Sequence, residues 1–285
     1  MNWKIPLLYI LPQHLLSRLA GWLSRRRNIW FKNYSISWFI HRYGVNMDEV
    51  AVPDINAYKT FNDFFIRTLR PDARPMVKAS NAIASPVDGC VSAYGDTEQG
   101  SIIQAKGSYY LLNDLLADSE LGKLFNNKAS YCTQYLAPQY YHRVHMPISG
   151  KLKRMVYVPG RLFAVNQNSV TRVSRLLARN ERVICHFETA IGEMIVILVG
   201  AYLVGNTNIS WHGQVTPRSH KKIQTWTYAD QNITLAKGQE IGYFTLGSTV
   251  ITLFQTGTVE WNKHFPVHDK LNMGELLAYS RSKSE

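Results

Sequence analysis

The most reactive arrangement in this chain is a serine placed directly after a glycine inside an apolar run, Phe244-Thr245-Leu246-Gly247-Ser248-Thr249-Val250-Ile251. Apolar and β-branched residues suit a packed strand, and a strand with a glycine bulge is the plain reading. The chemical reading is different. A hydroxyl beside a flexible peptide carbonyl can attack it, shifting the acyl group from nitrogen to oxygen. β-Elimination of the ester then breaks the chain between Gly247 and Ser248 and turns the serine into a pyruvoyl group. Such an attack needs a base, and a group to orient that base. His142 and His145 in Tyr140-Tyr141-His142-Arg143-Val144-His145-Met146-Pro147 are candidate bases, and Asp88 in Ser85-Pro86-Val87-Asp88-Gly89 is a candidate orienter. On a strand the three-residue offset sends the two rings to opposite faces, whereas on a turn they can share a site. His-x-x-His also raises zinc, but no third ligand stands at a sensible spacing, and Cys90, Cys132 and Cys185 form no CxxC; the expectation is no metal and three small buried thiols. A serine hydrolase fits poorly, because Gly-x-Ser-x-Gly is absent.

Together with Leu246-Gly247-Ser248-Thr249, the Asp88 and His142/His145 motifs resemble those of the phosphatidylserine decarboxylases. The likeness extends to Phe61-Asn62-Asp63-Phe64-Phe65-Ile66-Arg67, Arg70-Pro71-Asp72-Ala73-Arg74-Pro75 and Asn180-Glu181-Arg182-Val183, and it runs in order over roughly residues 10 to 255. The resemblance implies a proenzyme cut between Gly247 and Ser248 into a large chain, 1–247, and a small chain, 248–285. It implies that Asp88, His145 and Ser248 form the self-cleavage set, His145 removing the hydroxyl proton and Asp88 orienting the ring. Ser248 would become the covalent pyruvoyl cofactor, whose ketone captures the substrate amine and accepts the electrons left when carbon dioxide departs. His142 would reprotonate the resulting carbon. The implied substrate is phosphatidylserine, the product phosphatidylethanolamine, the assembly a homo-oligomer, a dimer, and the place the cytoplasmic face of a bacterial cell membrane, held peripherally. Ala164, in Leu162-Phe163-Ala164-Val165-Asn166, departs from the pattern, which carries Ser there, so it is left out of the site.

The elements that must position these residues divide into two textures. Residues 1 to 43 contain no acidic side chain but hold Lys4, Arg18, Arg25, Arg26, Arg27, Lys32 and Arg42 and four of the seven tryptophans, Trp3, Trp22, Trp30 and Trp38. Pro12 suits a helix start, after which Leu15, Leu16, Leu19, Ala20, Trp22 and Leu23 recur at helical spacing; Ile36, Phe39, Ile40 and Tyr43 define a second helix stopped by Gly44. Two short helices rich in Trp and Arg predict an interfacial anchor on an anionic membrane, although they also serve to cover a core. Pro6 and Pro12 interrupt the first apolar stretch and no cleavage site follows, so no signal peptide is expected. Thr60 to Asp63 reads as a capping box opening a third helix, with Phe64 and Phe65 directed either to the core or to lipid. Arg67, Arg70 and Arg74 read as a basic linker.

From about Ile83 short strand-like runs alternate with Gly, Pro and Asn to about residue 256. Ser85–Val91 and Met146–Leu152 share a rhythm like the half-motifs of barrel-sandwich hybrids, and Leu235–Gly242 reads as a turn of the same architecture. Only Leu111 to Phe125 and Ser174 to Asn180 look helical there. The expected class is α+β: a β-rich, barrel- or sandwich-like catalytic core, 76–259, behind a helical membrane-docking segment and linker, 1–75, and before a polar, mobile tail, 260–285. The excess of 12 positive charges suits an acidic partner. Nucleic acid is disfavoured, because the basic residues gather on the first helices rather than along strands. Two other readings stand beside this one. A soluble pyruvoyl-dependent amino-acid decarboxylase would not need the Trp/Arg helices, and a non-catalytic hybrid-motif or membrane-binding module would need a carrier lysine that neither turn supplies.

Overall fold

The computed structural model describes residues 13–105, 108–126, 128–202, 206–216, 222–245, 248–262 and 269–281. Lys4, Trp3, Leu246 and Gly247 therefore lie outside the described residues. The chain is α+β and strand-rich, with open sheets and no closed barrel.

Helix α1, Gln13–Ser24, and helix α2, Ile29–Tyr43, form where the apolar spacing predicts them. Asn28 caps α2 by accepting from the Phe31 amide at 2.9 Å, and Gly44 ends it at φ +66°, a conformation that glycine adopts without a Cβ penalty. Helix α3, Phe61–Phe65, opens on Thr60, whose hydroxyl accepts from the Asp63 amide at 3.1 Å. Phe64 and Phe65 are buried with Ile36, Phe39 and Val45 in a small core separate from the main one, which decides between core and lipid in favour of the core.

Eight strands position the site: β1 Gly89–Asp96, β2 Ala129–Leu136, β3 Arg143–His145, β4 Gly150–Val158, β5 Arg182–Thr189, β6 Gly192–Gly200, β7 Glu240–Phe244 and β8 Ser248–Gln255. In the nine-stranded sheet the order runs β4-β5-β6-β8-β2-β1, every pair antiparallel, with short strands at its edges. Strand β8 is central and buried along seven of its eight residues, which explains its unbroken apolar and β-branched run. A four-stranded sheet pairs β7 with β3, and Leu276–Ser280 is the middle of a three-stranded sheet. The two hybrid-like half-motifs touch: the Ala84 amide donates to Pro147 O at 2.9 Å and the His145 amide to Pro86 O at 2.8 Å.

Four expectations need correction. Residues 111 to 125 form two short helices, α4 Leu112–Leu116 and α5 Ser119–Leu124, because Ala117 turns left-handed at φ 50° and Asp118 recaps the chain by accepting from the Glu120 and Leu121 amides. A further helix, α6 Gln167–Val170, stands where none is predicted, and the helix expected over 174–180 is the single turn α7 Leu176–Arg179. The described part of the expected tail, 260–262 and 269–281, is not a mobile end; Leu277 and Ala278 are fully buried where Leu276–Ser280 pairs with Ala82–Ala84 and Val259–Trp261. The Arg67–Arg74 stretch is no solvated linker, since the side chains of Arg67 and Arg74 are buried beside the predicted catalytic residues.

Candidate active site

Ser248 is the first residue of β8, set between Leu136 of β2 and Gly200 of β6, and is fully buried. Its Oγ has no hydrogen-bond partner among the described residues. Thr133 and Thr252 on the same two strands share that lack, but only Ser248 directly follows a glycine.

The ladder between β7 and β3 places the histidines relative to this serine. His145 stands opposite Glu240, Val144 opposite Gly242 and Arg143 opposite Tyr243, and the Phe244 amide donates to His142 O at 3.1 Å. The chain then passes in four residues from Phe244 to Ser248. His142 is thus at the Ser248 end of the ladder, and His145 lies roughly 10 Å further along it at ordinary strand rise. The ring of His142 also lies against the turn that follows β2, with Nε2 donating to Pro138 O at 3.3 Å. That bond fixes the tautomer, leaving Nδ1 as a buried lone pair without a partner among the described residues. Phe65 of α3 stacks on the ring at 4.3 Å between centroids. Burial, and then the nearby Arg67 charge, hold its pKa at about 3, so it is neutral at physiological pH.

His145 is held differently. Nδ1 donates to Gly238 O at 2.9 Å, so Nε2 is the basic nitrogen, and it accepts from the Tyr141 hydroxyl at 3.1 Å. Gly238 presents that carbonyl from a turn at φ +82°, where glycine is required. Burial lowers the pKa of His145, keeping it a neutral base. Burial also raises that of Tyr141, whose hydroxyl therefore stays protonated and donates.

Asp88 is 1% exposed, and both its oxygens are engaged. Arg74 grips it in a fork, Nε to Oδ1 at 2.8 Å and Nη2 to Oδ2 at 2.6 Å, and the Met273 amide donates to Oδ1 at 2.9 Å. Arg74 also reaches Glu49 at 2.7 Å, and these two carboxylates raise its pKa against burial. The Asp88 charge acts on His145 through space, but no hydrogen bond joins them: Gly238 O does the orienting expected of Asp88. No described hydrogen bond joins His145 to Ser248 either. Of the predicted set, Asp88 and His145 are neighbours, and the histidine beside Ser248 is His142.

A family model described as phosphatidylserine decarboxylase matches residues 61–279, and a second, described as PSD, matches residues 3–44. A phosphatidylserine decarboxylase proenzyme of Pseudomonas putida (strain W619) is 48% identical over 274 residues, covering 95% of each chain. One of Yersinia enterocolitica is 46% identical over 279 residues, covering 96% of this chain and 95% of its own. The chain belongs to the phosphatidylserine decarboxylase family. In this phosphatidylserine decarboxylase homologue the functional surroundings that sequence reading passed over are Arg74, Tyr141, Phe65 and the Gly238 carbonyl. Arg74 carried a usable signal: it is an arginine between alanine and proline in the same linker as Arg67 and Arg70, and a buried Asp88 demands a cation. The Gly238 carbonyl carried none, because any residue has one.

A cavity of ≈ 170 Å³ is lined among others by Phe65, Tyr135, Pro138, Ala164, Asn166 and Ala201, and Phe65 and Pro138 are also the residues that hold the His142 ring. Ala164 thus faces a cavity in which a serine at this position would add a hydroxyl.

Proposed function

We propose that this chain is a self-processing, pyruvoyl-dependent decarboxylase that converts phosphatidylserine to phosphatidylethanolamine and carbon dioxide while seated on a membrane surface. The observation that carries the reading is a buried serine hydroxyl without a partner among the described residues, at the start of a central strand and directly after a glycine. A buried unsatisfied hydroxyl costs about 1–3 kcal/mol, which a purely structural strand avoids with Val or Ala.

Ser248 Oγ attacks the Gly247 carbonyl carbon as its proton passes to a base; the amide C–N bond breaks and the ester C–O bond forms. Removal of the Ser248 α-proton expels the Gly247 carboxylate from Cβ. Tautomerisation and hydrolysis then release ammonia. His145 is assigned as the base, with Nε2 unprotonated and Nδ1 fixed by Gly238. Its proton path to Ser248 begins at the Tyr141 hydroxyl, which must rotate or relay. Asp88, paired with Arg74, stabilises the imidazolium through space.

The surroundings fit a pyruvoyl group at position 248, which adds no atom bulkier than the serine it replaces and breaks no hydrogen bond of its hydroxyl among the described residues. That group supplies an electron sink for the bond to the departing carboxylate. His142 then delivers a proton to the substrate carbon. Neutral in the resting chain, it gains that proton once the substrate's anionic groups lie beside it. Phe65 and Pro138 hold the ring in place and keep water out.

Membrane seating rests on the inverted face of α1 and on the exposed aromatic residues of α2. Gln13, Ser17, Gly21 and Ser24 are the buried residues of α1, with Gln13 Oε1 accepting from the Leu162 amide at 2.9 Å. Leu15 is 64% exposed and Trp30 87%, alongside exposed Leu19, Trp22, Phe31, Tyr34 and Trp38. On α1 the polar side faces the protein and the apolar side faces out, the reverse of a helix that covers a core, while α2 buries Ile36 and Phe39 and still leaves Trp30, Phe31, Tyr34 and Trp38 exposed. No described helix is long and apolar enough to cross a membrane.

The testing experiment is intact-mass analysis of purified protein. Two chains, the smaller beginning at residue 248 with ammonia lost, and one uncut inactive chain from Ser248→Ala, are expected. A single intact chain that still decarboxylates phosphatidylserine refutes the assignment.

A further inference from the structure

Arg67 is a buried cation without a counter-ion. It is 4% exposed, and its Nη2 donates to the carbonyls of Gln139 at 2.8 Å and Tyr140 at 3.4 Å. Its Nε and Nη1 are buried with no acceptor among the described residues. The acids that could neutralise it, Glu49 and Asp88, are both engaged by Arg74. The ring of Phe64 lies 5.2 Å from its guanidinium carbon, a weak substitute for an anion. Burial lowers its pKa only to about 10, so the charge persists at neutral pH. An unmatched buried guanidinium is a strongly unfavourable feature of a fold unless a ligand completes it.

A cleft of ≈ 140 Å³ opens onto this residue, lined also by Arg74 with the Glu49 and Asp88 carboxylates it pairs, and by Tyr140, Tyr141 and Lys270. Lys270 is exposed at the cleft, its Nζ 5.0 Å from the centre of the Tyr140 ring, and makes no ion pair among the described residues. The cleft therefore presents one buried and one exposed unpaired cation. It lies beside the chemistry: the carbonyls that Arg67 grips belong to the turn running into His142, and the Arg67 charge is felt at that ring.

We propose that this cleft binds the phosphodiester of the phospholipid headgroup, with Arg67 at its base and Lys270 at its mouth. The proposal rests on the reading of the chain as a phosphatidylserine decarboxylase and names the group that holds the substrate's phosphate. Two anionic groups in that substrate compete for the assignment. The carboxylate loses its charge as carbon dioxide leaves, so a tight guanidinium clasp on it would favour the ground state over the transition state. The phosphodiester keeps its charge throughout, and the partnerless Nε and Nη1 of Arg67 are donors for an anionic oxygen. An anion seated there also offsets the Arg67 charge that helps hold His142 neutral, coupling headgroup binding to the readiness of that proton donor.

The test uses the uncleavable Ser248→Ala protein, titrated by calorimetry with glycerophosphoserine, glycerophosphoethanolamine, inorganic phosphate and free serine. Both glycerophosphodiesters should bind, and Arg67→Gln should weaken both by roughly 10- to 100-fold, the strength of a charge-assisted hydrogen bond. Lys270→Gln should weaken them less, and serine should show no Arg67 dependence. Unchanged affinity in Arg67→Gln overturns the proposal. Arg67 dependence confined to glycerophosphoserine also overturns it, since the carboxylate would then be the ligand. Should Arg67→Gln fail to fold, Arg67→Lys and Lys270→Gln decide, and full affinity in Lys270→Gln counts against the cleft. Bulk anionic lipid is separated by vesicles. If Arg67→Gln weakens binding to phosphatidylglycerol vesicles but not to the soluble diesters, the cleft serves membrane docking and the headgroup assignment fails. Because no arm requires cleavage or turnover, loss of decarboxylation with intact diester binding counts against the enzymatic reading alone.

Discussion

Replacing the two histidines one at a time separates the two chemistries assigned to them. In His145→Ala the imidazole that accepts from Tyr141 and donates to Gly238 is gone, and with it the base for Ser248. A positioned base contributes ~10²–10⁴-fold, so a maturation complete during expression should stall and leave one uncut chain on a gel. His142→Ala removes the ring stacked on Phe65 but leaves Gly238, His145 and Tyr141 in place, so the chain should still be cut. Its processed form should still capture substrate amine under cyanoborohydride, while turnover falls. The size of that fall follows from the site. With a pKa of about 3, roughly one His142 in 10⁴ carries the second proton at pH 7. As a donor it is therefore effective only when bound substrate raises its basicity. Loss of turnover should lie within ~10²–10⁴-fold rather than be absolute, and the residual activity should improve as the pH is lowered. The geometry makes this experiment decisive, because the histidine nearer Ser248 is His142. An uncut His142→Ala protein would move His142 into the processing machinery, and normal maturation of His145→Ala would refute the base assignment.

Other outcomes follow from the same contacts. Arg74→Gln leaves the buried Asp88 carboxylate half-paired, a loss of about 3–5 kcal/mol; calorimetry should show Tm lower by roughly 5–15 °C, with processing slowed, and an unshifted Tm would contradict the pairing. His142 and His145 both have native pKa values below the unfolded value of about 6.5. The unfolded chain therefore binds more protons below that pH, and stability should be full above about 6.5 and decline toward pH 3. His142→Asn should flatten that decline, and an identical slope in denaturant titrations would refute the burial argument. Liposome flotation should improve with anionic lipid and weaken with salt, and charge reversal at Arg25, Arg26 and Arg27, or Leu15→Glu with Trp30→Glu, should reduce it. Binding indifferent to all of these would leave α1 and α2 without a membrane role.

What was legible in the sequence follows from how locally each feature is encoded. Helix α2 could be read to its last residue because periodicity and Gly44 act within a few positions. The α3 cap at Thr60 was legible for the same reason. The burial of Leu276–Ser280 was not, because its reason lies in Ala82–Ala84, nearly two hundred residues earlier, while its neighbours in sequence are polar. The site divides along the same line. Ser248, Asp88, His142 and His145 sit in compact motifs. Arg74 on Asp88, Tyr141 on His145 and Gly238 O on His145 are contacts that only the fold creates. The orienting role expected of Asp88 was inferred from roles, and roles do not specify which acceptor stands at Nδ1.

The position of Ser248 at the first rung of β8 explains how a chain can cut itself and stay folded. Every rung of that strand, from Ser248 opposite Leu136 to Gln255 opposite Ala129, lies on the C-terminal side of the Gly247–Ser248 bond. The pairing with β6 begins at the same residue. Breaking the bond therefore removes no ladder hydrogen bond from β8. The segment beyond it is tied again by Leu276–Ser280 between Ala82–Ala84 and Val259–Trp261. A new N-terminus created here is clamped on both sides in the sheet, by Leu136 and by Gly200.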